Sequence, residues 1–562
     1  KIFKKISKMV IASRMHLLPL IFVSSLGTAV AHELVVACKN SEAKRKCTAL
    51  SLDSMHDTTW GAHALYTADT EHPSHFGELA VRTNPALADD DQMFAAGYAE
   101  GHLTADRIFE ASLNTRCQLE CDGSVPEALR SFVRANEAWV LEQVAANPSD
   151  ANWRMMGGIF AQYQGLMAGY RASEFAAEDG HSMDDDMSFW VLNSLGDMFE
   201  ILPSLDATKR PRYEDMSTAA VKEDLMLRGH CSALIKVTDD LSEILAGHSS
   251  WFIYSNMLRI YKHYSFPLSN PGLAAQNVSF SSYPGTLSSL DDFYTMSSGL
   301  AMLQTTNGVY DTSLYDQIKP QALLAWFRVR AANALAANGQ EWAGVIDFHN
   351  SGTYNNQYMV VDFNGFVPKQ ALPAGTLWVV EQSVGLVVSQ DMTEVLRRGY
   401  WASFNVPAFN QVYVLQGYGQ LDARDNSTLG TAYDLAPRAQ IFRRDQNTAQ
   451  GVEGFKALLR YNDYENDPFS GGSPNGAVCS RGDLSGTSSS AGGCYDSKMT
   501  TSDLFKDGMQ VFAINGPTDE PAGAFCWSAS SYNSSDSHVG MPDCFDFEWE
   551  LFAPPSSGLP SL

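Results

Sequence analysis

Nine cysteines limit how this chain can fold more than any other feature. Eight stand in sequence-local couples: Cys38 with Cys47, Cys117 with Cys121, Cys479 with Cys494, and Cys526 with Cys544. The ninth, Cys231, is more than 100 residues from any other. In an oxidising compartment eight thiols can pair and one is left over, so parity nominates Cys231 as the free thiol. The N-terminus points to such a compartment. Lys1, Lys4, Lys5, Lys8 and Arg14 precede an apolar run from Leu17 to Val23, and small residues follow, ending in Ala29-Val30-Ala31. That is the order of a secretory signal, expected to span residues 1–31 with cleavage after Ala31. Sequons at Asn277, Asn426 and Asn533 are candidate glycan sites of the same pathway.

The apolar run is shorter than the roughly 20 residues a spanning helix needs, and no later run qualifies. The stretch from Leu377 to Ser389 is interrupted by Glu381 and Gln382. No stable membrane anchor is expected. A formal charge of −25 argues against nucleic acid, whose recognition rests on a basic, phosphate-neutralising surface. An acidic surface suits an acidic compartment, where partial protonation relieves self-repulsion. The expected location is therefore secreted or lysosomal.

Two textures divide the chain. From His32 to about Arg228 the pattern is mainly helical. Asp89-Asp90-Asp91 opens a periodic segment to about Leu113, as acidic residues suit a helix N-terminus. Pro126 opens another with Leu129, Val133, Val140 and Val144 on one face, and Asn147-Pro148 stops it. Asp179 and Asp184 to Asp186 lack the alternating ligands and central Gly of a calcium loop, and read as a solvated acidic loop. No metal site and no cofactor are expected. After Cys231 come short strand-like runs: Ser232 to Val237, Tyr358 to Phe363, Leu377 to Val380 and Gly385 to Val388. Pro320 to Ala337 reads as a long helix, and Gly471 to Gly493 as a Gly/Ser-rich surface loop. Cys479 and Cys494 bracket that loop and are expected to pair; Cys526–Cys544 and Cys117–Cys121 are the further expected couples. Arg481-Gly482-Asp483 within the loop reads as a chance turn rather than an adhesion motif.

The chain has no G-x-S-x-G elbow, no H-E-x-x-H zinc helix and no phosphate-cradling G-x-x-x-x-G-K-[ST]. What remains is Cys231, in Arg228-Gly229-His230-Cys231-Ser232-Ala233, where helix gives way to strand. If the preceding peptide bond is cut, one residue carries both a nucleophilic thiol and an α-amine with a pKa of about 8 to serve as base. The bland alternative is a buried inert cysteine.

The stretch around Cys231 resembles the phospholipase B-like family of lysosomal and secreted proteins. So do Ser281-Ser282-Tyr283-Pro284-Gly285, Leu290-Asp291-Asp292-Phe293-Tyr294, and the run from Asn350 through Gln357. The likeness continues through Gly399-Tyr400-Trp401, Asn405-Val406-Pro407, the run from Pro437 to Asp445, and Arg460-Tyr461-Asn462-Asp463-Tyr464. The resemblance implies an α+β N-terminal-nucleophile (Ntn) hydrolase fold, an αββα sandwich with a helix-rich N-terminal segment. Autoproteolysis between His230 and Cys231 would separate residues 32–230 from a core of residues 231–562, the first fragment staying associated with the second.

On the matching motifs, the family's site residues fall on Cys231, His248, Trp251, Thr306, Asn405 and Arg438. Asn405 suits an oxyanion hole, Arg438 a charge held against thiolate or substrate, and Thr306 a hydrogen bond to the α-amine. His248 suits orientation of the cysteine, and Trp251 a pocket wall. In related Ntn acylases an Arg and an Asp commonly stand where this chain has His248 and Trp251, which weakens any transfer of their specificity. The implied activity is hydrolysis of acyl bonds, in phospholipids or lysophospholipids. An amidase acting on N-acyl or peptide-like substrates, and a non-hydrolytic luminal lipid-binding protein, are the readings left standing beside it.

Overall fold

Every residue of Ser232–Val237 is buried, a pattern that requires cover on both faces of the strand. The computed structural model describes residues 31–41, 44–50, 60–116, 124–183, 185–218, 220–221, 224–225, 231–424 and 431–555. The expected signal segment, the Cys117–Cys121 couple, Asn426 and the His230 side of the expected cleavage point lie outside them.

Two sheets supply the cover. The larger has eleven strands. Its N-terminal part is β1 (His32–Ser41), β2 (Lys44–Leu50), β3 (Ala62–Thr67) and β4 (Phe76–Thr83). The smaller is built around β5 (Ser232–Val237) and β6 (Ile244–Ile253). The larger sheet continues with β7 (Arg259–Ser265), β8 (Asn277–Ser282), β9 (Phe293–Met296), β10 (Leu300–Thr306), β11 (Asn356–Asp362), β12 (Leu377–Ser383) and β13 (Leu386–Asp391). The smaller adds β14 (Tyr400–Ser403), β15 (Gly492–Thr501), β16 (Val511–Asn515) and β19 (Glu550–Phe552). Strand order is β13-β12-β11-β10-β9-β8-β7-β4-β3-β1-β2 in the larger sheet and β14-β5-β6-β15-β16-β19 in the smaller. Pairing is antiparallel except between β4 and β7, where the segments before and after Cys231 meet in parallel. A two-stranded ribbon of β17 (Phe525–Cys526) and β18 (Cys544–Phe545) stands apart.

The inner faces pack on each other through Phe76, Ala233, Ile235, Leu303, Met359 and Ala513. The outer face of the larger sheet carries α1 (Asp89–Leu103), α2 (Ala105–Thr115), α3 (Glu127–Ala146), α4 (Ala151–Arg171), α5 (Asp186–Ser194), α6 (Met198–Leu205), α7 (Ala325–Leu335) and α8 (Gly339–Asp347). The outer face of the smaller sheet carries α9 (Pro437–Asp445) and α10 (Val452–Leu459), with Leu234 and Leu245 packed beneath Phe442 and Phe455. The chain is thus α+β, with two sheets between helical layers.

α1 and α4 cross at glycines. A Cβ on Gly97 would lie 1.9 Å from the Gln162 carbonyl oxygen, and one on Gly169 would lie 2.0 Å from that of Tyr98. The backbones themselves are in contact there. The expected helix from Asp89 to Leu113 is broken at Thr104, whose hydroxyl bonds the Glu100 carbonyl. The helix expected from Pro320 begins only at Ala325. Leu323 is bridged to Asn350, and the Asp197 carboxylate accepts the Ala325 N–H at 2.9 Å. Beside these helices the N-terminal segment contributes four strands that the helical periodicity did not single out.

The Gly/Ser-rich stretch is not a surface loop along its length. Residues 476–482 are all buried, because the Val478 carbonyl accepts from Ser232 and Trp251. Disulfides join Cys38 to Cys47, Cys479 to Cys494 and Cys526 to Cys544. Arg481, 3% exposed, is spent on Asp483 and on the carbonyls of Thr518 and Gly523, so Arg481-Gly482-Asp483 is an internal brace. Asp185 and Asp186 pair with Arg130 and Arg171. Asn533 is exposed and Asn277 half-buried. Among the described residues no helix is long and apolar enough to cross a membrane.

The segments before and after Cys231 also meet in a titratable clamp. His72 Nδ1 lies 3.1 Å from Glu550, whose other oxygen accepts from Ser74; Glu78, beside His72, lies 3.1 Å from His263. Burial alone would lower the His72 pKa, but its bond to Glu550 and the charges of Glu550, Glu78 and Asp69 outweigh it and raise the pKa. The Glu550 pKa is lowered: burial would raise it, and its bonds to His72 and Ser74 prevail. A raised histidine stabilises fully below its unfolded value of about 6.5 and loses that contribution as pH rises through its folded value. The lowered Glu550 loses its contribution only as pH falls through its own folded value. His72→Ala is therefore expected to lower Tm more at pH 5.5 than at pH 8.5. Equal losses at the two pH values would show the imidazole acting only by packing.

Candidate active site

Cys231 stands where β5 enters the smaller sheet. Its φ is +78°, a left-handed backbone that a non-glycine residue rarely adopts, and strain of this kind collects at functional sites. The side chain is free of any disulfide and 3% exposed. Burial pushes the thiol pKa up to about 12. The Trp251 backbone N–H and the Lys498 charge act the other way, and Asp291 and Asp496 add to the rise. In the continuous chain this is a neutral thiol at physiological pH.

Arg438 reaches the same strand from the first turn of α9, where Pro437 fixes the helical start. Its guanidinium bonds the Cys231 carbonyl oxygen, the Ser232 hydroxyl at 3.1 Å and Asn405 Oδ1 at 2.6 Å. It also lies 4.2 Å above the Trp251 ring. No carboxylate among the described residues pairs with it, and burial pulls its pKa down to about 9, so it stays charged at neutral pH. A buried cation with only neutral partners beside a thiol is an arrangement that favours a thiolate.

Asn405 has a φ of +69°, which asparagine tolerates better than most residues. Its amide is oriented from both ends: Oδ1 accepts from Arg438, and one N–H donates to the Thr306 carbonyl at 2.7 Å. Tyr418 donates to the Asn405 carbonyl at 2.8 Å. Thr306, the last residue of β10, keeps its hydroxyl buried and unpartnered. Cys231, Trp251 and Thr306 line one small cavity with Leu290, Asp291 and Tyr354.

His248 is placed differently. It faces the space between the sheets opposite Ala233, its Nε2 lies 2.7 Å from the Gln304 carbonyl, and it does not line that cavity. Burial, with the Lys498 charge, holds its pKa well below 6.5, so the ring is neutral, Nε2 is the donor and Nδ1 faces the Ser250 hydroxyl at 3.3 Å. Of the six site residues expected from the motifs, five therefore join in one contact network, and His248 stands behind it as a tie between sheets.

Behind Cys231 lies a set of charges that sequence reasoning missed. Arg259 bonds Asp291 at 3.0 Å and Asp496 at 2.8 Å, and Lys498 bonds Asp291, Asp496 and the Ser250 hydroxyl. The alternation Asp496-Ser497-Lys498-Met499 looks like a strand with its charges in solvent, but the charges face the second sheet. The one available signal was Asp291, which lies in a quoted family motif.

Comparison with known proteins matches nearly the whole chain. The family profile described as Phospholipase B matches residues 53–552. The chain is 40% identical to phospholipase B-like 1 of Rattus norvegicus over 511 residues, 90% of each chain. It is 41% identical to phospholipase B-like 1 of Bos taurus over 509 residues, again 90% of each. A protein named phospholipase B from Crotalus adamanteus is 37% identical over 504 residues, 89% of each. The chain belongs to the phospholipase B family, and its class is hydrolase.

Arg438→Lys keeps the charge but cannot span three partners from one amine. It is expected to destabilise the protein by about 1–3 kcal/mol for each acceptor left buried and unpaired. Chemical denaturation measures this, and an unchanged midpoint would remove the guanidinium fork as the organiser of the site.

Proposed function

We propose that this chain is an N-terminal-nucleophile hydrolase, cut between His230 and Cys231, that deacylates phospholipids or lysophospholipids in the secretory pathway or lysosome. The carrying observation is the surrounding of Cys231: a free thiol on a strained backbone that meets the Trp251 backbone N–H, with a guanidinium lacking a carboxylate partner on the Cys231 carbonyl and an unpartnered Thr306 hydroxyl in the same cavity. The names of the relatives support the ester substrate. The three disulfides support an oxidising compartment.

Maturation starts from a thiol without its amine. The Cys231 sulfur adds to the His230 carbonyl carbon, the thiol proton passes to the Cys231 nitrogen, and the peptide C–N bond breaks to leave a thioester. Water cleaves the thioester, freeing the His230 carboxylate and the thiol. In turnover the new α-amine takes the thiol proton while sulfur attacks the acyl carbon. The alcohol leaves with that proton, and water releases the fatty acid. The Thr306 hydroxyl orients the amine, Arg438 stabilises the thiolate, and an Asn405 side-chain N–H donates to the oxyanion. The helix-rich fragment of residues 32–230 stays bound to the core of residues 231–562, since β4 pairs with β7 and Lys262 bonds Glu100 across the divide.

Purified protein is expected to contain a fragment beginning at Cys231, read by N-terminal sequencing, and Cys231→Ala is expected to remain uncut. An active protein that stays one chain would end the proposal.

Asn405→Ala is expected to fold and be cut, yet to lose about 100- to 1000-fold in kcat with a smaller change in KM, because the charge it serves exists mainly in the transition state. Near-parental kcat in a folded, cut variant would take Asn405 out of the mechanism.

A further inference from the structure

The loop that carries Asn405 runs from the end of β14 to a short helix at Asn410–Leu415, and Pro407 within it offers no N–H to any partner. Its grip comes from a carboxylate on the other sheet. Glu381 of β12 is fully buried. Its Oε1 accepts the Ala408 N–H at 2.6 Å and its Oε2 the Phe409 N–H at 3.0 Å. Gln357 of β11 donates to Oε1 at 2.6 Å, and its own Oε1 accepts from the Trp401 indole at 3.2 Å. No lysine or arginine among the described residues pairs with Glu381. Burial pushes its pKa up to about 7, against the Ala408 N–H, the Gln357 amide and the Phe409 N–H, which pull it down. A carboxylate buried without a cation is costly unless hydrogen bonds replace its water. Here two of the three replacements are consecutive backbone amides of the site loop. Asn405 is joined to them through Val406-Pro407, one of the stiffer dipeptides available.

We propose that Glu381 is a positioning residue: by gripping the backbone at 408–409 it fixes where the Asn405 side chain points. This rests on the reading of Asn405 as oxyanion donor. Displacing a catalytic group by about 1 Å can cost 100-fold in rate, so a grip that sets its loop should be read in kcat.

The test is Glu381→Gln, nearly isosteric but with one acceptor oxygen and an NH2 facing a backbone donor. With a p-nitrophenyl acyl ester, kcat is expected to fall about 10- to 100-fold with KM within about 2-fold of the parent. Amide hydrogen exchange at 408–409 is expected to quicken while that of β5 and β6 stays unchanged. In an Asn405→Ala background the substitution is expected to lower kcat less than about 2-fold further, because both act through one side chain. Glu381→Asp, which keeps the charge but is shorter, covers the case in which Glu381→Gln does not fold, and is expected to quicken the same exchange. Parental kcat in a folded variant, or full additivity with Asn405→Ala, overturns the proposal. If the parent consumes no ester, the functional reading fails separately. Exchange at 408–409 then decides alone, and parental exchange in both variants overturns the grip.

Discussion

Two cations and two carboxylates, all at most 2% exposed, tie the sheets together behind Cys231. Arg259 comes from the larger sheet, Lys498 and Asp496 from the smaller, and Asp291 from the turn before β9. Each ion forfeits much of its hydration, and only mutual pairing in good geometry restores it. That makes the quartet a strict constraint rather than a large net source of stability. Removing one member leaves the remaining three with an uncompensated buried charge, at about 3–5 kcal/mol. Tyr283 closes over Arg259 at 4.0 Å and adds a cation–π contact. The knot joins the two sheets one strand from β5, which pairs with β6, the neighbour of the strand that carries Lys498. The knot's summed charge is close to zero. Lys498 draws the Cys231 pKa down while Asp291 and Asp496 push it up, so burial remains the dominant influence on the thiol.

The segments on either side of Cys231 are interleaved rather than adjoining. β4 sits between β3 and β7, Lys262 bonds Glu100, and Asn136 donates to the carbonyls of Pro320 and Ala322. Asp197 and Glu200 accept backbone N–H groups of Ala325 and Tyr354. These bonds cross the divide inside the core, where water cannot compete for them. Under the proposed cut the two pieces would share one hydrophobic interior, and separating them would expose it. The peptide bond before Cys231 can therefore be a chemical switch without being a mechanical hinge.

What the sequence disclosed was whatever depends on local pattern. Ser232–Val237 reads as a strand and is one; Pro126 and Asn147 bracket α3; Cys231 is left alone by cysteine parity and is free in the fold. What it concealed depends on which face of an element meets which partner. Lys236, Asp496, Lys498 and Glu381 are fully buried charges in strands, and alternation assigns such residues to solvent unless the partners are known. Glu381 and Gln382 interrupt an apolar run and were useful only as evidence against a membrane span, yet both face the interior and brace loops. The burial of residues 476–482 is equally invisible in composition, because glycine and serine lie buried wherever backbone carbonyls find donors. The parallel join of β4 to β7 leaves no local trace at all.

The site holds one charge more than its own side chains balance. Arg438 is buried against neutral partners, and the ionisable groups that act on it, the Cys231 thiol and the Tyr418 phenol, are both held protonated by burial. In the continuous chain the Cys231 nitrogen is an amide and cannot take a proton from sulfur, so among the described residues the guanidinium has no carboxylate or thiolate to face. Under the proposed cut, a free amine at the same atom would change that balance. The proton would gain an acceptor on the residue that bears the sulfur, and the thiolate would become a counter-charge for Arg438. The strained φ of Cys231 and the oriented amide of Asn405 already stand around the uncut chain. On this account, cutting the bond completes the electrostatics of a geometry that folding has set.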